Sequence, residues 1–482
     1  MINVFNILKF IFMCILTMAF LFIELIFFYQ ILYDNIFVFT FGNQTINLPN
    51  KSPLLWNNIK YLFVIFSILA NLIISNVLIK NFAYLFPKKC SNFNDQITDN
   101  SLNIMLGKNC NSNTNVIIPE KGLYQNILIT GAIGSGKTSS AMYPITKQLI
   151  NYESGSAKKL GMLILDVKGN YYSQVLKFAR DCGRQEDIIT IQISGEYKYN
   201  PLNNISLKPT VLANRLKTIL LLFSPNNTES YWLDKAETIL AEAIKLCRLY
   251  NNNYVTFIEV HNLITDHDYY LSKISYLKNQ FTLNKLSHSQ ICDLLSAIKF
   301  FEKEFFSLDS RTSNILKSEI TRITNCFVSD FDIINTFCPS EKDINFPGFS
   351  QIINTGKIVV LNMNINEYKN LSKIIATYLK LDFQTEVLRR LSQIDSVLHP
   401  VAFISDEYSE YVSETDANFF SQSRESKCIN VVSTQSYTSL LNALNNKYSV
   451  EVIIQNLVNK LWFRSDDTFT IEDAQKQLRK SR

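Results

Sequence analysis

The chain has 482 residues, with 47 Lys+Arg against 42 Asp+Glu and a formal net charge of +5. That length exceeds one ordinary core and points to two or three folding units, while so mild a charge excludes a nucleic-acid binder that works through its global field. Nine cysteines with no Cys-x-x-Cys pair argue against a structural zinc or a disulfide framework.

From Ile7 to Phe28 the sequence is apolar apart from Lys9, Thr17 and Glu24, and Ile59 to Ile79 is a second such stretch with Lys60 at its start. Each is near the ~20 residues that cross a bilayer core, so residues 1–86 read as a two-pass membrane anchor with spans over about 7–28 and 59–79. A cleaved signal peptide is the alternative for the first stretch, but its apolar run is longer than a signal core and no small-residue cleavage site follows. Soluble core helices are the other alternative. Lys9 near the start of the first span and Lys80, Lys88 and Lys89 after the second outnumber Lys51 between the spans and Lys60 at the start of the second, an asymmetry that places both termini in the cytoplasm. A carboxylate at a span's centre costs about 3 kcal/mol, so Glu24 is expected to face the other helix, a neighbouring subunit or the interface, or to snorkel outward.

Beyond Pro87 a polar linker is expected to about Asn115. Short apolar runs then alternate with helical stretches: Asn126–Thr130, Met162–Leu165, Ile188–Ile193, Lys357–Met363, Val401–Ile404, Ile429–Ser433 and Leu461–Arg464. Such runs predict an α/β domain with a mostly parallel sheet covered on both faces, its two parts over 87–208 and 346–482. Between them, over 209–345, the strand signal disappears. Trp232, Ala236, Ile239, Leu240, Ala243, Ile244 and Cys247, and later Ile315, Ile320, Ile323, Cys326 and Phe327, recur at helical spacing, which predicts an inserted all-α domain.

The first predicted strand runs into Gly131-Ala132-Ile133-Gly134-Ser135-Gly136-Lys137-Thr138, a complete phosphate-binding loop between strand and helix. Its glycines let backbone N–H groups curl around phosphates at a helix N-terminus, Lys137 reaches the β- and γ-phosphates, and the Thr138 hydroxyl ligates Mg²⁺. The expected ligand is a nucleoside triphosphate, ATP with Mg²⁺. The run Val401–Ser405 ends in Asp406-Glu407, as a hydrolytic ATPase requires: Asp406 holds Mg²⁺ directly or through water, and Glu407 orients and deprotonates the attacking water. Asp166, at the end of Met162–Leu165, competes for the metal but has no adjacent carboxylate to act as base. Arg424, on the expected helix Asp416–Lys427, stands where RecA-type rings project an arginine into the neighbour's nucleotide, and an ordinary surface arginine is the alternative. Gln435, at a strand end, is a candidate γ-phosphate sensor, or an amide satisfying backbone groups.

Taken together the motifs resemble a known family, the type IV secretion coupling proteins, which are TraG/TraD-like ATPases of conjugative DNA transfer. The match runs through the two N-terminal apolar stretches, Ile129-Thr-Gly131 to Thr138-Ser-Ser and Pro144, and Asp166-Val-Lys-Gly169 where the family usually has Asp-Pro-Lys-Gly. It continues through Asn200-Pro201-Leu202, Tyr231-Trp232, Asp406-Glu407-Tyr408, and Arg424 followed by Ser433-Thr-Gln435-Ser436. The resemblance implies a RecA-like, homo-hexameric ring anchored in the bacterial inner membrane. It also implies a cargo of single-stranded DNA with its covalently bound relaxase, or protein effectors, delivered to secretion channel components. Val167 in place of proline leaves the role of Lys168 open, and the sequence as given stops at Arg482 without the C-terminal extension many relatives use for cargo adaptors, as expected of either a compact member or a truncated gene. Two other functions stay open: an FtsK/HerA-like double-stranded DNA translocase, and a non-motor ATP-binding receptor for secreted proteins.

Overall fold

The computed structural model describes residues 17, 18, 22, 24, 38–41, 44–47, 52–85, 102–166, 168–223, 230–392 and 398–479. The chain divides into two compact units, Met1–Asn100 and Ser101–Arg482.

In the first unit, β1 (Val38–Phe41) and β2 (Gln44–Asn47) form an antiparallel hairpin, and α1 covers Pro53–Leu85. The expected stretch 59–79 falls within α1, whereas most of 7–28 lies outside the described residues. Among the described residues no helix is long and apolar enough to cross a membrane. Glu24 does face α1: Ser67 Oγ donates to its Oε1 at 2.5 Å and Asn71 Nδ2 to its Oε2 at 3.0 Å. The hairpin, in the segment expected between the spans, was not anticipated from the sequence.

In the second unit the expected linker is partly structured. An antiparallel hairpin of β3 (Asn103–Lys108) and β4 (Asn115–Pro119) occupies its end, with Leu102, Ile104 and Ile118 buried. The main sheet has seven strands: β5 (Ile127–Thr130), β6 (Gly161–Leu165), β7 (Ile188–Ile191), β8 (Ile358–Leu361), β9 (Val401–Ser405), β10 (Cys428–Thr434) and β11 (Asn459–Trp462). Their order is β11-β5-β10-β9-β6-β8-β7, and every pairing is parallel. All seven apolar runs of the sequence therefore enter one sheet. Three were set too long or too late: β7 stops at Ile191, β8 covers only Ile358–Leu361 of the expected Lys357–Met363, and β11 begins at Asn459 rather than Leu461.

Successive side chains of a strand point to opposite faces, and here each face has its own core. Leu128, Leu163, Leu165, Phe403 and Val432 belong to one, and Ile127, Ile129, Met162, Ile164 and Ile404 to the other. This is why the strands read as unbroken apolar runs. The second core is covered by α2 (Tyr143–Asn151), α3 (Tyr171–Asp181) and the β3–β4 hairpin. The first core continues into the helices that follow β7: α4 (Pro209–Phe223), α5 (Ser230–Tyr250), α6 (Phe257–Thr265), α7 (His267–Thr282), α8 (His288–Phe300), α9 (Ser310–Val328), α10 (Phe331–Phe337) and α11 (Phe349–Thr355). Among the described residues every element between Pro209 and Phe337 is a helix, and these helices share their apolar core with the sheet. After β8, α12 (Ile365–Arg389) crosses the same face. The remaining helices are α13 (Thr415–Gln422), α14 (Tyr437–Leu444), α15 (Lys447–Asn456) and α16 (Thr468–Arg479).

Candidate functional site

Residues Gly131 to Lys137 join the C-terminal end of β5 to a helical turn, Thr138–Met142, that runs straight into α2. Gly134 and Gly136 take φ of +74° and +90°, a region that side chains other than glycine rarely adopt. At Gly131 the constraint is space, since a Cβ there would lie 2.5 Å from Phe463 Cβ and 2.8 Å from Ser135 Oγ. The chain just past β11 forms the floor of the loop, where Ala132 N–H donates to Arg464 O at 2.7 Å. Lys137 is buried, and its Nζ donates to Gly131 O at 2.5 Å and Ala132 O at 3.3 Å. Burial holds its ammonium below the usual lysine range and Lys168 pushes the same way, while Glu407 and Asp406 oppose the shift.

Strand β9 delivers Asp406 and Glu407 to the same edge of the sheet, one strand beyond β10 from the loop. Thr138 Oγ1 donates to Asp406 Oδ2 at 3.0 Å, which joins loop and acid pair across the 268 positions between them. The other oxygen, Oδ1, accepts from Ser433 Oγ near the end of β10 and from Glu407 N–H at 3.0 Å. Glu407 itself stands in the left-handed region, φ 47° and ψ 48°, which costs a residue with a Cβ about 1–3 kcal/mol and is a feature concentrated at functional sites. The turn after it opposes that cost: Tyr411 OH donates to Asp406 O at 2.6 Å and Glu410 N–H to Glu407 O at 3.0 Å. Lys168 Nζ lies 2.5 Å from Glu407 Oε1, and Gln435 Nε2 is 3.4 Å from Oε2.

Asp166 is engaged by the backbone that follows β6. Its Oδ1 accepts Lys168 N–H at 2.9 Å and its Oδ2 accepts Tyr171 N–H at 3.1 Å, so it anchors the turn between β6 and α3. Burial raises its carboxyl above the usual range, partly offset by those two N–H groups. Val167 lies outside the described residues. Arg424 does not join the site of its own chain. It is exposed in the turn after α13, before β10 begins, whereas the site is where β10 ends, roughly 20 Å away along a strand of that length. The expected helix Asp416–Lys427 stops at Gln422, because Ser423–Lys427 turns back into β10.

Sequence reasoning named Ser433 and Lys168 only as parts of motifs, without a role at the site, and missed the backing by Phe463 and Arg464. A small hydroxyl following Val431-Val432 at the end of a buried strand was the available signal for Ser433, whereas the backing contacts leave none, since they come from chain packing.

The residues fit a nucleotide and a divalent cation. Ser135 Oγ is buried without a protein partner, the loop closes at Gly131 to a bare backbone, and Thr138 Oγ1 and Asp406 offer adjacent hard oxygens of the kind Mg²⁺ takes. A phosphate loop on one strand and an acidic pair on the next strand but one, in an all-parallel sheet, define the P-loop class of nucleotide-binding folds. Comparison with solved structures gives the same fold. The bacterial conjugative coupling protein TrwB without its first 70 residues, in an unbound form, is similar with a TM-score of 0.52 and 14% identity over 75% of this chain and 74% of that one. TrwB with the non-hydrolysable GTP analogue GDPNP, and TrwB with ADP and Mg²⁺, each give 0.51 at 14% identity over 75% of this chain and 76% of theirs. No family model matches the chain, and no curated protein matches it.

Proposed function

We propose that the chain is a membrane-anchored ATPase that drives a DNA–relaxase nucleoprotein, or protein effectors, into a type IV secretion channel. The observation that carries the ATPase part is the 3.0 Å contact between Thr138 Oγ1 and Asp406 Oδ2, which puts the two halves of a hydrolytic site in register. The coupling role is supported by the likeness to TrwB in fold and by the order of motifs from Gly131 to Ser436. The anchor is supported by the apolar stretches 7–28 and 59–79, and by Leu62, Phe66 and Leu69 of α1, each more than half exposed.

In this reading the loop N–H groups and Lys137 bind and orient the triphosphate. Thr138 and Asp406 hold Mg²⁺, which when bound neutralises charge on the β- and γ-phosphates. Glu407 accepts a proton from the attacking water, and Gln435, already at its second oxygen, orients the same carboxylate. Arg424 projects from one subunit's sheet edge toward the nucleotide of the next, so hydrolysis belongs to a hexameric ring.

Turnover by the purified full chain, measured with single-stranded DNA, duplex DNA and no DNA at several protein concentrations, tests the proposal. Stimulation by single strands and a specific activity that rises with concentration are expected. Duplex-selective stimulation would transfer the function to a double-stranded DNA pump, and the absence of nucleotide affinity would end the ATPase reading.

A further inference from the structure

The carboxylate of Glu407 is gripped from two sides, and the closer grip is a cation that the mechanism above does not use. Lys168 Nζ sits 2.5 Å from Oε1, against 3.4 Å for Gln435 at Oε2. Charge-assisted contacts of that length are the stronger kind. Opposing its partial burial, the hydrogen bond to Glu407 and the charges of Glu407, Asp406 and Asp166 raise the Lys168 ammonium above its usual range.

The two partners differ in freedom. Glu407 is fixed, its side chain only 7% exposed, whereas that of Lys168 is 51% exposed. The backbone of Lys168 is pinned by Asp166 Oδ1 at 2.9 Å. Its neighbour Gly169, at φ +74°, lies where a Cβ would come within 3.3 Å of Asn364 Cβ. The backbone at Lys168 and Gly169 is thus held on the side of α3, and what can move is the four-carbon stem of the lysine, which has open solvent to move into. An ammonium on Oε1, with the Gln435 amide on Oε2, takes up a lone-pair site on each oxygen that a general base would offer to water.

We propose that Lys168 is a positioning residue that latches Glu407: while its ammonium holds Oε1, the carboxylate accepts no proton from water, and turnover begins only when the side chain swings away. Lysine stays protonated throughout, so the swing moves no proton; the proton of the later step passes from water to the freed oxygen. The inference rests on the ATPase reading and adds a brake to it.

The full chain tests this through steady-state kinetics. Lys168→Met is expected to raise basal kcat about three- to tenfold with KM within about twofold, tenfold being about 1.4 kcal/mol of barrier. Lys168→Arg, which keeps a cation on the same stalk, should bring the rate back toward that of the unaltered protein. In a Glu407→Gln background Lys168→Met should change nothing further, because coupled residues are not additive. A fall in kcat, or no change, in Lys168→Met overturns the latch. A readout independent of turnover is the acetylation rate of the Lys168 amine, followed by mass spectrometry. Glu407→Gln should raise it, and equal rates in both proteins overturn the pair. Turnover without these responses removes the latch alone. Absence of turnover in the unaltered protein, with the amine response intact, removes the ATPase reading and the latch with it, leaving a structural ion pair.

Discussion

Lys380 and Asp416 form an ion pair at 2.6 Å in which both side chains are fully buried. Lys380 lies on α12, and its ammonium also donates to Tyr411 O at 2.7 Å and Ser413 Oγ at 2.9 Å. Asp416 in turn accepts from Tyr408 OH at 2.5 Å, Gln384 Nε2 at 2.9 Å and Ser413 N–H at 2.9 Å. The pair therefore fastens the segment that directly follows Glu407 to a helix on the face of the sheet shared with α4–α11. Two positions further along α12, Asp382 takes Arg215 of α4 and Tyr199 OH, so one buried helix ties the acidic turn to the helical region.

Lys380→Met should leave Asp416 as an uncompensated buried charge. Removing one partner of such a pair costs about 3–5 kcal/mol, which should appear as a lowered thermal midpoint together with loss of turnover. Unchanged stability would mean that the pair is not buried as described.

Gly131→Ala should weaken nucleotide binding. The new Cβ would lie 2.5 Å from Phe463 Cβ, a contact that has to be relieved by backbone movement, and overpacking of this kind costs about 1–3 kcal/mol. Titration with a fluorescent ATP analogue measures it, and wild-type affinity in the variant would show that the floor of the loop yields freely.

Arg424→Ala should bind ATP as the unaltered protein does but lose turnover by about 10³-fold or more, since Arg424 lies at the far edge of its own sheet. Mixing it with Lys137→Ala should recover activity, because some interfaces then combine an intact loop with an intact arginine. No recovery on mixing would make Arg424 an ordinary surface residue.

Asp406→Asn should raise the Mg²⁺ concentration needed for half-maximal turnover by about tenfold or more. Ser433 and Thr138 would each lose a charged acceptor in the same change. If chelation of Mg²⁺ left turnover intact, Thr138 and Asp406 would not be metal-holding residues.

Thiol labelling offers a check on the fold. Cys110 and Cys292 are exposed and should react first, while Cys247, Cys338 and Cys428 are buried and should react only on unfolding. Burial pushes Cys338 up to about 12, so raising the pH to 9 should still leave it a thiol. Early labelling of these three, read by peptide mass spectrometry, would contradict the packing.

The sheet was legible in the sequence because a parallel strand buried on both faces leaves an unbroken apolar run, and each of the seven runs became a strand. The phosphate loop and the acidic pair were legible because each is a local pattern at a strand end. What stayed hidden was non-local. Nothing near Lys168 announces Glu407, which is 239 positions away, and Lys380 reads as a surface lysine on a helix until α13 is packed against it. The β3–β4 hairpin was lost because its apolar runs, Ile104-Met105-Leu106 and Val116-Ile117-Ile118, are only three residues each and are separated by a polar stretch. Asn430 is buried in the middle of β10, with its Nδ2 donating to Asn126 Oδ1 at 2.6 Å; it looked like an ordinary strand position because its partner opens a different strand.

The seating of the phosphate loop against Phe463 and Arg464 has a consequence for biosynthesis. Strand β5 pairs on one side with β11, and Asn459 Nδ2 reaches Asn126 O across 333 positions of chain. At about 5–20 residues per second, roughly 20 to 70 s separate the two on the ribosome. Throughout that interval the nascent polypeptide carries a glycine loop without its floor beside an unpaired strand edge, a state prone to association with other chains. Newly made copies should therefore depend on holdase chaperones until translation has passed Arg464.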